Sequence, residues 1–257
     1  MFLPALMGAG APGGRKRVTI PDGGVALRAE LVLPRGPAVA PAVVALHGCG
    51  GPFPRRDRQW AELLAAAGHP VLFPDSFGSR GLGSQCKVAS RQVSPGRERR
   101  ADAVASVGWL LRQDFTPPGG VVVMGWSNGG STVLAAAAEG VMPKGAVRGF
   151  VAFYPGCRAY ADRADWAPSA KLLILIGVDD DWTPAEPCRR LAARFPEEIT
   201  LVEYAGAYHD FDVPDYPLRT RTGLAYTAHG TGVARAGTNS AARTDAIAHV
   251  LAFLAAG

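Results

Sequence analysis

The chain has 257 residues, of which 48% are hydrophobic and 19% are charged, a composition typical of one globular domain with a large core. The formal net charge is +5, but the basic residues are scattered and form no stripe with interleaved aromatic residues, so we expect no nucleic-acid partner. No apolar run approaches the ~20 residues that cross a bilayer, so we expect no membrane-spanning segment.

The N-terminal part divides into two regions. Residues 1–17 begin with an apolar stretch that no basic residue precedes, and we interpret them as a flexible leader or the remnant of a signal peptide. Residues 18–257 are expected to form a single domain. From Arg17 to Leu33 two strands flank the turn sequence PDGG, which predicts an antiparallel start.

Most of the remaining chain alternates between apolar runs and helical patterns. The runs are continuously apolar, as expected for strands buried on both faces of a sheet. They are AVVALHG from Ala42, HPVLFPD from His69, VVVMGW from Val121, GFVAFYP from Gly149, KLLILIG from Lys171 and TLVEYAG from Thr200. The helical patterns cover residues 55–67, 97–113, 128–139, 185–195 and 240–255. This alternation predicts an α/β fold, with a mostly parallel central sheet and helices on both faces.

Two further features of the C-terminal part are informative. Asn239 precedes the last helical pattern and is a good N-cap residue. The stretch from Asp212 to Thr238 has no clear pattern, and a segment of this length in a compact domain is usually functional. Our hypothesis is that this segment walls the functional site and sets its substrate preference.

Residue types suited to nucleophilic catalysis follow three of the predicted strands. Ser127 follows the strand from Val121, three aspartates follow the strand from Lys171, and His209 follows the strand from Thr200. Ligands of an open parallel sheet bind beyond the carboxyl ends of its strands, so these side chains are expected to gather at one edge.

The segment GWSNG around Ser127 has the form of a nucleophile elbow. In such an elbow a sharp strand-to-helix turn strains the serine and presents its hydroxyl to the substrate. Gly125 and Gly129 are expected because a side chain would collide across the turn. The following helix directs its N-terminal amides toward the negative charge that develops on a substrate oxygen.

A serine nucleophile needs a base within hydrogen-bond reach and a third group that orients this base. His209 is the predicted base. His69 and His249 are interpreted as structural, whereas His229 stays an alternative because it lies in the patternless segment. Asp180 is the predicted orienting acid, since GVDDDWTP places it in a loop before the proline that opens the next helix. Asp179 and Asp181 are its alternatives.

The sequence HGCGG at residues 47–51 follows an early strand and corresponds in position to an oxyanion loop. The predicted donors to the oxyanion are the backbone amides of Cys49 and Asn128. The imidazole of His47 is expected to shape this loop by bonding to the backbone. A plain glycine-rich turn is the alternative interpretation.

The four cysteines lack the paired spacing of a zinc site: they are Cys49, Cys86, Cys157 and Cys188. Their number permits two disulfides in three connectivities, and four unrelated thiols are the alternative. Paired cysteines would favour export to a periplasm or the medium, which is our working prediction for the compartment.

Together these motifs resemble the dienelactone hydrolase family of α/β-hydrolases. The resemblance rests on ALHGCGG, FPDSFGSRG, GWSNGG, YPGC, LLILIGVDDDWTP, YHDFD and GTNSAARTDAIAHVLAFL, and it covers most of the chain from about Val18. It implies an α/β-hydrolase fold and a triad of Ser127, Asp180 and His209. The enzymes that gave the family its name use cysteine as the nucleophile, so the serine points to ordinary carboxylic esters instead of dienelactone.

The expected activity is therefore hydrolysis of a small-molecule ester through an acyl-enzyme, without a metal or organic cofactor. Trp126 and Arg80 are our candidates for binding substrate. Arg80 could hold a substrate carboxylate, and the alternative is a structural loop arginine. Lactone hydrolysis, peptidase activity and acyl transfer on the same triad are the nearest alternatives, and a non-catalytic binding module on this scaffold is a more distant one. The sequence does not indicate the oligomeric state.

Overall fold

The computed structural model describes residues 13–22 and 24–256, which form one large sheet with helices packed against it. The strands are β1 (Gly14–Asp22), β2 (Val25–Leu33), β3 (Ala42–Leu46), β4 (Val71–Pro74), β5 (Val121–Trp126), β6 (Val147–Phe153), β7 (Lys171–Gly177), β8 (Ile199–Tyr204), β9 (Arg219–Arg221) and β10 (Ala234–Ala236). The helices are α1 (Pro54–Ala66), α2 (Glu98–Leu111), α3 (Asn128–Ala137), α4 (Arg158–Ala161), α5 (Glu186–Arg194) and α6 (Ser240–Ala255).

The large sheet has the strand order β1-β2-β4-β3-β5-β6-β7-β8. The pairs β1–β2 and β2–β4 are antiparallel, and every other pair is parallel. All six residues of β5 are buried, as continuous apolar runs require when both faces of a sheet are covered. The predicted fold class, a mostly parallel α/β sheet, is confirmed.

The N-terminal strand begins earlier than the sequence pattern indicated. Residues 1–12 of the predicted leader lie outside the described residues. Residues 14–17, however, belong to β1, where Gly14 pairs with Leu33. The antiparallel ladder of β1 on β2 therefore extends across the predicted domain boundary at residue 18.

The predicted helices form with bounds that shift by at most two residues, and α6 has the predicted bounds. Asn239 caps α6, since its side-chain oxygen accepts a hydrogen bond from the amide of Ala242 at 3.1 Å. None of the described helices is long and apolar enough to span a membrane.

The segment from Asp212 to Thr238 contains a short antiparallel pair, β9 with β10, that the sequence did not reveal. Leu224 and Ala234 of this segment pack on Trp182 and on the disulfide-bonded Cys49 and Cys86. The guanidinium of Arg235 also binds Asp181 at 2.9 Å. These contacts hold the segment against the loops at the carboxyl ends of the strands.

All four cysteines are paired, which decides between the two alternatives left by the sequence. Cys49 bonds to Cys86 and Cys157 bonds to Cys188. The first disulfide joins the HGCGG loop to the loop that precedes α2. The second joins the turn after β6 to α5.

Candidate active site

Ser127 lies in the turn between β5 and α3, in a backbone conformation that side chains rarely adopt. Its φ is 54°, so the residue carries local strain. A Cβ at Gly125 would lie 2.6 Å from the carbonyl oxygen of Gly129, and one at Gly129 would lie 2.1 Å from the carbonyl oxygen of Leu46. The two flanking glycines are therefore needed because the chain segments approach too closely for a side chain.

A chain of hydrogen bonds joins Ser127, His209 and Asp180. The Oγ of Ser127 lies 2.8 Å from Nε2 of His209, and Nδ1 of His209 lies 2.8 Å from Oδ2 of Asp180. The three residues are at most 7% exposed. The hydroxyl, imidazole and carboxylate thus have the order and spacing of a Ser-His-Asp triad, in which the imidazole takes the serine proton.

The loop after β7 fixes the carboxylate of Asp180 through its backbone. Oδ1 of Asp180 accepts hydrogen bonds from the amides of Trp182 at 2.9 Å and Thr183 at 2.8 Å. Oδ2 remains directed at His209. These bonds hold the carboxylate in one orientation, so the tautomer of His209 with hydrogen on Nδ1 is favoured.

The two neighbouring aspartates point elsewhere. Asp179 accepts a hydrogen bond from the amide of Gly206 at 2.8 Å. Asp181 binds the backbone amide and the guanidinium of Arg235. Of the three consecutive carboxylates, the structure brings Asp180 alone to His209.

His209 lies between two aromatic rings, with centroid distances of 4.5 Å to Tyr154 and 4.6 Å to Trp182. Burial alone would lower the pKa of this imidazole. The charge and the hydrogen bond of Asp180 more than offset burial, so the pKa of His209 lies above its ordinary value. The site therefore favours the protonated form of His209.

The other four histidines lie in different surroundings. Nδ1 of His69 bonds to the carbonyl of Pro41, His249 pairs with Asp245 on α6, and His229 is exposed. His47 bonds through Nδ1 to the carbonyl of Gly48 and accepts the amide of Ser76 on Nε2, as expected for a residue that shapes its loop. Burial, assisted by the charge of a nearby arginine, lowers the pKa of His47 well below its ordinary value, so its ring is neutral.

The amides of Cys49 and Asn128 are available as donors beside the cavity that Ser127 lines. Within residues 13–22 and 24–256, neither amide donates to a backbone or side-chain acceptor. Asn128 is the first residue of α3, where the helix dipole contributes partial positive charge. A tetrahedral oxyanion formed at Ser127 would be stabilised by donors of this kind.

The structure places Trp126 in the core and not in the substrate site. Its side chain is fully buried, stacks on Phe153 and donates a hydrogen bond from Nε1 to Asp212 at 3.0 Å. Side chains alternate along β5, so Trp126 points into the sheet packing whereas Ser127 begins the turn. The prediction that Trp126 binds substrate is therefore wrong.

Arg80 is structural, which decides between the two interpretations that the sequence left open and corrects its listing as a candidate for binding substrate. Its two terminal nitrogens bind both oxygens of Asp102 on α2, each at 2.8 Å, and it also donates to the carbonyl of Ser76. The Asp102 side chain is fully buried. The bidentate pair fixes the loop before α2 to that helix.

Replacing Arg80 by methionine should lower the free energy of unfolding by about 3 kcal/mol, because Asp102 would remain buried without its cation. Turnover per folded molecule should change little. Urea unfolding measures the first quantity and ester hydrolysis the second. Arg163→Met is the matched control, since its pair with Asp165 is exposed and should contribute little to stability. Equal losses in the two variants would contradict the structural role of Arg80.

Asp212 is a fully buried carboxylate for which no sequence motif indicated a role. It accepts hydrogen bonds from the indoles of Trp60 and Trp126 and from the hydroxyl of Tyr154, at 2.8, 3.0 and 2.6 Å. Tyr154 in turn packs on His209. The segment YHDFD contains this residue, but no local pattern indicates that three aromatic donors converge on it.

Two cavities meet at Ser127, with volumes of about 240 Å³ and about 660 Å³. Cys49 and Trp182 border both of them. The smaller is also lined by His209, Arg56, Tyr216 and Arg221, and the larger by Asn128, Ser131, Tyr160 and Tyr226. Tyr216, Arg221 and Tyr226 belong to the segment from Asp212 to Thr238, so this segment does wall the site.

Within the described ranges, no group of three histidine, cysteine or acidic side chains is placed to hold a metal ion.

Comparison with known proteins identifies the family. The profile of the family described as "Dienelactone hydrolase family" matches residues 27–256. No curated protein matches the sequence.

Several solved structures share the fold at low sequence identity. A putative dienelactone hydrolase from Klebsiella pneumoniae has 17% identity and a TM-score of 0.72, over 95% of this chain and 99% of that chain. A dienelactone hydrolase-like promiscuous phosphotriesterase from metagenomic libraries has 18% identity and a TM-score of 0.73, over 94% and 97%. An esterase from Pyrococcus furiosus has 20% identity and a TM-score of 0.59, over 76% and 84%. At these identities the likeness shows the fold alone.

Proposed function

The chain belongs to the dienelactone hydrolase family and is a hydrolase, and from this premise we propose that it cleaves carboxylic esters with Ser127 as nucleophile. The observation that carries the proposal is the continuous hydrogen-bond chain from Ser127 through His209 to Asp180, with both contacts at 2.8 Å. In this series of hydrogen bonds the hydroxyl of Ser127 contacts the base His209, whose orientation is fixed by Asp180.

In the first step His209 takes the proton of Ser127 as Oγ attacks the ester carbonyl carbon. The carbonyl π electrons move to oxygen and form a tetrahedral oxyanion. The amides of Cys49 and Asn128 donate to this oxygen. Asp180 stabilises the imidazolium, in agreement with the raised pKa of His209.

In the second step the oxyanion collapses, the carbon–oxygen bond to the alcohol breaks, and His209 donates its proton to the leaving oxygen. An acyl-enzyme on Ser127 results. Water then takes the place of the serine hydroxyl as the attacking group, and His209 again accepts a proton. When the second tetrahedral intermediate collapses, the bond between the acyl carbon and Oγ of Ser127 breaks, His209 donates its proton to Oγ, and the carboxylic acid is released.

The two cavities supply separate positions for the two halves of an ester. His209 must reach the leaving oxygen, so the alcohol part belongs in the smaller cavity, which His209 lines. The acyl part then lies in the larger cavity beside Asn128, whose amide donates to the carbonyl oxygen. This division supports a larger acyl group and a smaller alcohol group.

The identity of the nucleophile supports ordinary esters. Family members that use a cysteine have a nucleophile that is partly ionised at neutral pH, whereas a serine depends on a base. Ser127 has that base in His209. Cleavage of lactones or peptides and acyl transfer would use the same residues and differ in what the two cavities accept.

The two disulfides support export to an oxidising compartment, because paired cysteines persist in periplasmic and extracellular proteins and are rare in reducing cytosol.

A fluorophosphonate probe tests the proposal directly. The Ser127 oxygen should form a bond to phosphorus and displace fluoride, so intact mass should show one adduct on the wild-type chain. Ser127→Ala and a wild-type chain unfolded in urea before addition of the probe should show none. An adduct that persists in Ser127→Ala, or a folded wild type that never reacts, would contradict the proposed nucleophile.

A further inference from the structure

Arg99 is a buried arginine that contacts both segments of the proposed oxyanion hole. It lies in the first turn of α2 and has no exposed surface. Its Nη2 donates to the carbonyl oxygen of His47 at 2.7 Å, two residues before Cys49. Its Nη1 donates to the side-chain oxygen of Asn128. One guanidinium therefore joins the loop that carries the first amide to the residue that carries the second.

The two segments touch, but in the described part of the chain no hydrogen bond runs directly between residues 47–51 and residues 127–131. A Cβ on Gly129 would lie 2.1 Å from the carbonyl oxygen of Leu46, so the backbones are in close contact. The β3–β5 ladder ends at the pair of Leu46 and Gly125, so the separation of the two segments beyond it depends on other contacts. Arg99 supplies one such contact, because it bonds to both segments.

The guanidinium suits this task because it is planar and carries its donors in a rigid fork. Two acceptors bound by the same fork have a fixed separation. Oxyanion stabilisation requires both amides to lie about 2.7–3.1 Å from the position that the oxyanion will take. A small change in the separation of the two segments would move one amide out of this range.

The charge of Arg99 is also unusual in its surroundings. Among the described residues no carboxylate forms an ion pair with it; Asp102, which Arg80 binds, and Asp75 act on its charge from farther away. Burial lowers the pKa of Arg99 to about 9, so the group is still charged at neutral pH. A buried cation without a paired anion costs folding free energy, and it interacts strongly with any negative charge that forms nearby.

We propose that Arg99 is a positioning residue of the oxyanion hole, which fixes the amides of Cys49 and Asn128 relative to each other and contributes positive charge behind them. The inference rests on the proposed ester hydrolysis at Ser127. It predicts that Arg99 acts on the transition state and leaves substrate binding nearly unchanged.

The test compares Arg99→Met, Arg99→Lys and Asn128→Ala with the wild type. Active sites are first counted by complete reaction with a fluorophosphonate, so that misfolded molecules do not enter the rate. The kcat and KM for an aryl ester are then measured per active site, together with the Ki of a trifluoromethyl ketone, whose adduct with Ser127 carries an oxyanion. Arg100→Met, which changes the neighbouring arginine of α2, is the matched control.

We expect Arg99→Met to lower kcat per active site by about 100-fold with KM within about threefold, and Ki to rise by a factor similar to the loss in kcat. Arg99→Lys keeps the charge but lacks the fork, so its loss should be smaller. Asn128→Ala removes one of the two acceptors and retains the backbone amide, and should lower kcat about tenfold. Arg100→Met should match the wild type.

Unchanged kcat and Ki per active site in the Arg99 variants would overturn the inference. If neither Arg99 variant folds, Asn128→Ala decides, and wild-type values of kcat and Ki for that variant would also overturn it. A wild-type chain that neither hydrolyses esters nor reacts with the phosphonate would remove the proposed function as well. An active wild type with unaffected Arg99 and Asn128 variants would remove this inference alone.

Discussion

Replacing His209 by alanine should lower kcat for ester hydrolysis by about 10⁶-fold, because the proposed base, which takes the proton of Ser127 and gives it to the leaving group, is lost. Nε2 of His209 lies 2.8 Å from Oγ of Ser127. Among the described residues no other base forms a hydrogen bond with this hydroxyl. Initial rates with an activated aryl ester, measured on equal amounts of folded protein, check the expectation.

His249→Ala is the matched control for this variant, since His249 is exposed on α6 and pairs with Asp245. Its kcat should equal that of the wild type. A His209→Ala variant that loses less than about 100-fold, below the range of general base catalysis, would show that another group takes the serine proton. His229 would then be the next residue to replace.

Asp180→Asn should lower kcat by about 10⁴-fold, the size of the loss when the acid of such a triad becomes an amide. The neutral amide of the variant would no longer attract the imidazolium, and the preferred tautomer of His209 would change. Trp182 and Thr183 would still donate to the remaining side-chain oxygen, so the loop should keep its conformation. Circular dichroism checks the fold, and steady-state kinetics check the rate.

The same substitution should change the pH dependence in a defined direction. In the proposed mechanism only neutral His209 accepts the serine proton, and Asp180 raises the pKa of His209 against the opposing effect of burial. Wild-type kcat/KM should therefore fall as the pH decreases through a value above about 6.5, the ordinary pKa of histidine. In Asp180→Asn the cause of the raised pKa is lost and burial remains, so the acidic limb should shift to lower pH.

Asp179→Asn is the control for both measurements. Its carboxylate binds the amide of Gly206 and does not contact His209. Its kcat and its acidic limb should match those of the wild type. An equal loss of kcat in Asp179→Asn and Asp180→Asn would show that the rate depends on the negative charge of the loop and not on the contact with His209.

The sequence predicted the sheet correctly because parallel strands covered on both faces need continuous apolar runs, and such runs are local features. All six runs from Ala42 to Tyr204 are strands in the large sheet. The sequence pattern did not indicate that β1 begins before Arg17, because this part of the strand carries exposed, charged residues such as Lys16 and Arg17 instead of an apolar run. The pair of β9 and β10 was missed because each strand has three residues and shows no periodicity.

The sequence by itself also determined the strand ends that carry Ser127, the acidic cluster and His209, since chain order and strand polarity bring those ends to one edge. The tertiary structure alone decided which carboxylate faces His209 and which cysteines pair. It also decided whether Trp126 and Arg80 face the substrate or the core. The orientation of a side chain in a loop depends on partners distant in the chain, such as Asp102 for Arg80. Arg99 shows this most clearly, because only the packing of α2 against the turn after β5 brings its guanidinium between His47 and Asn128.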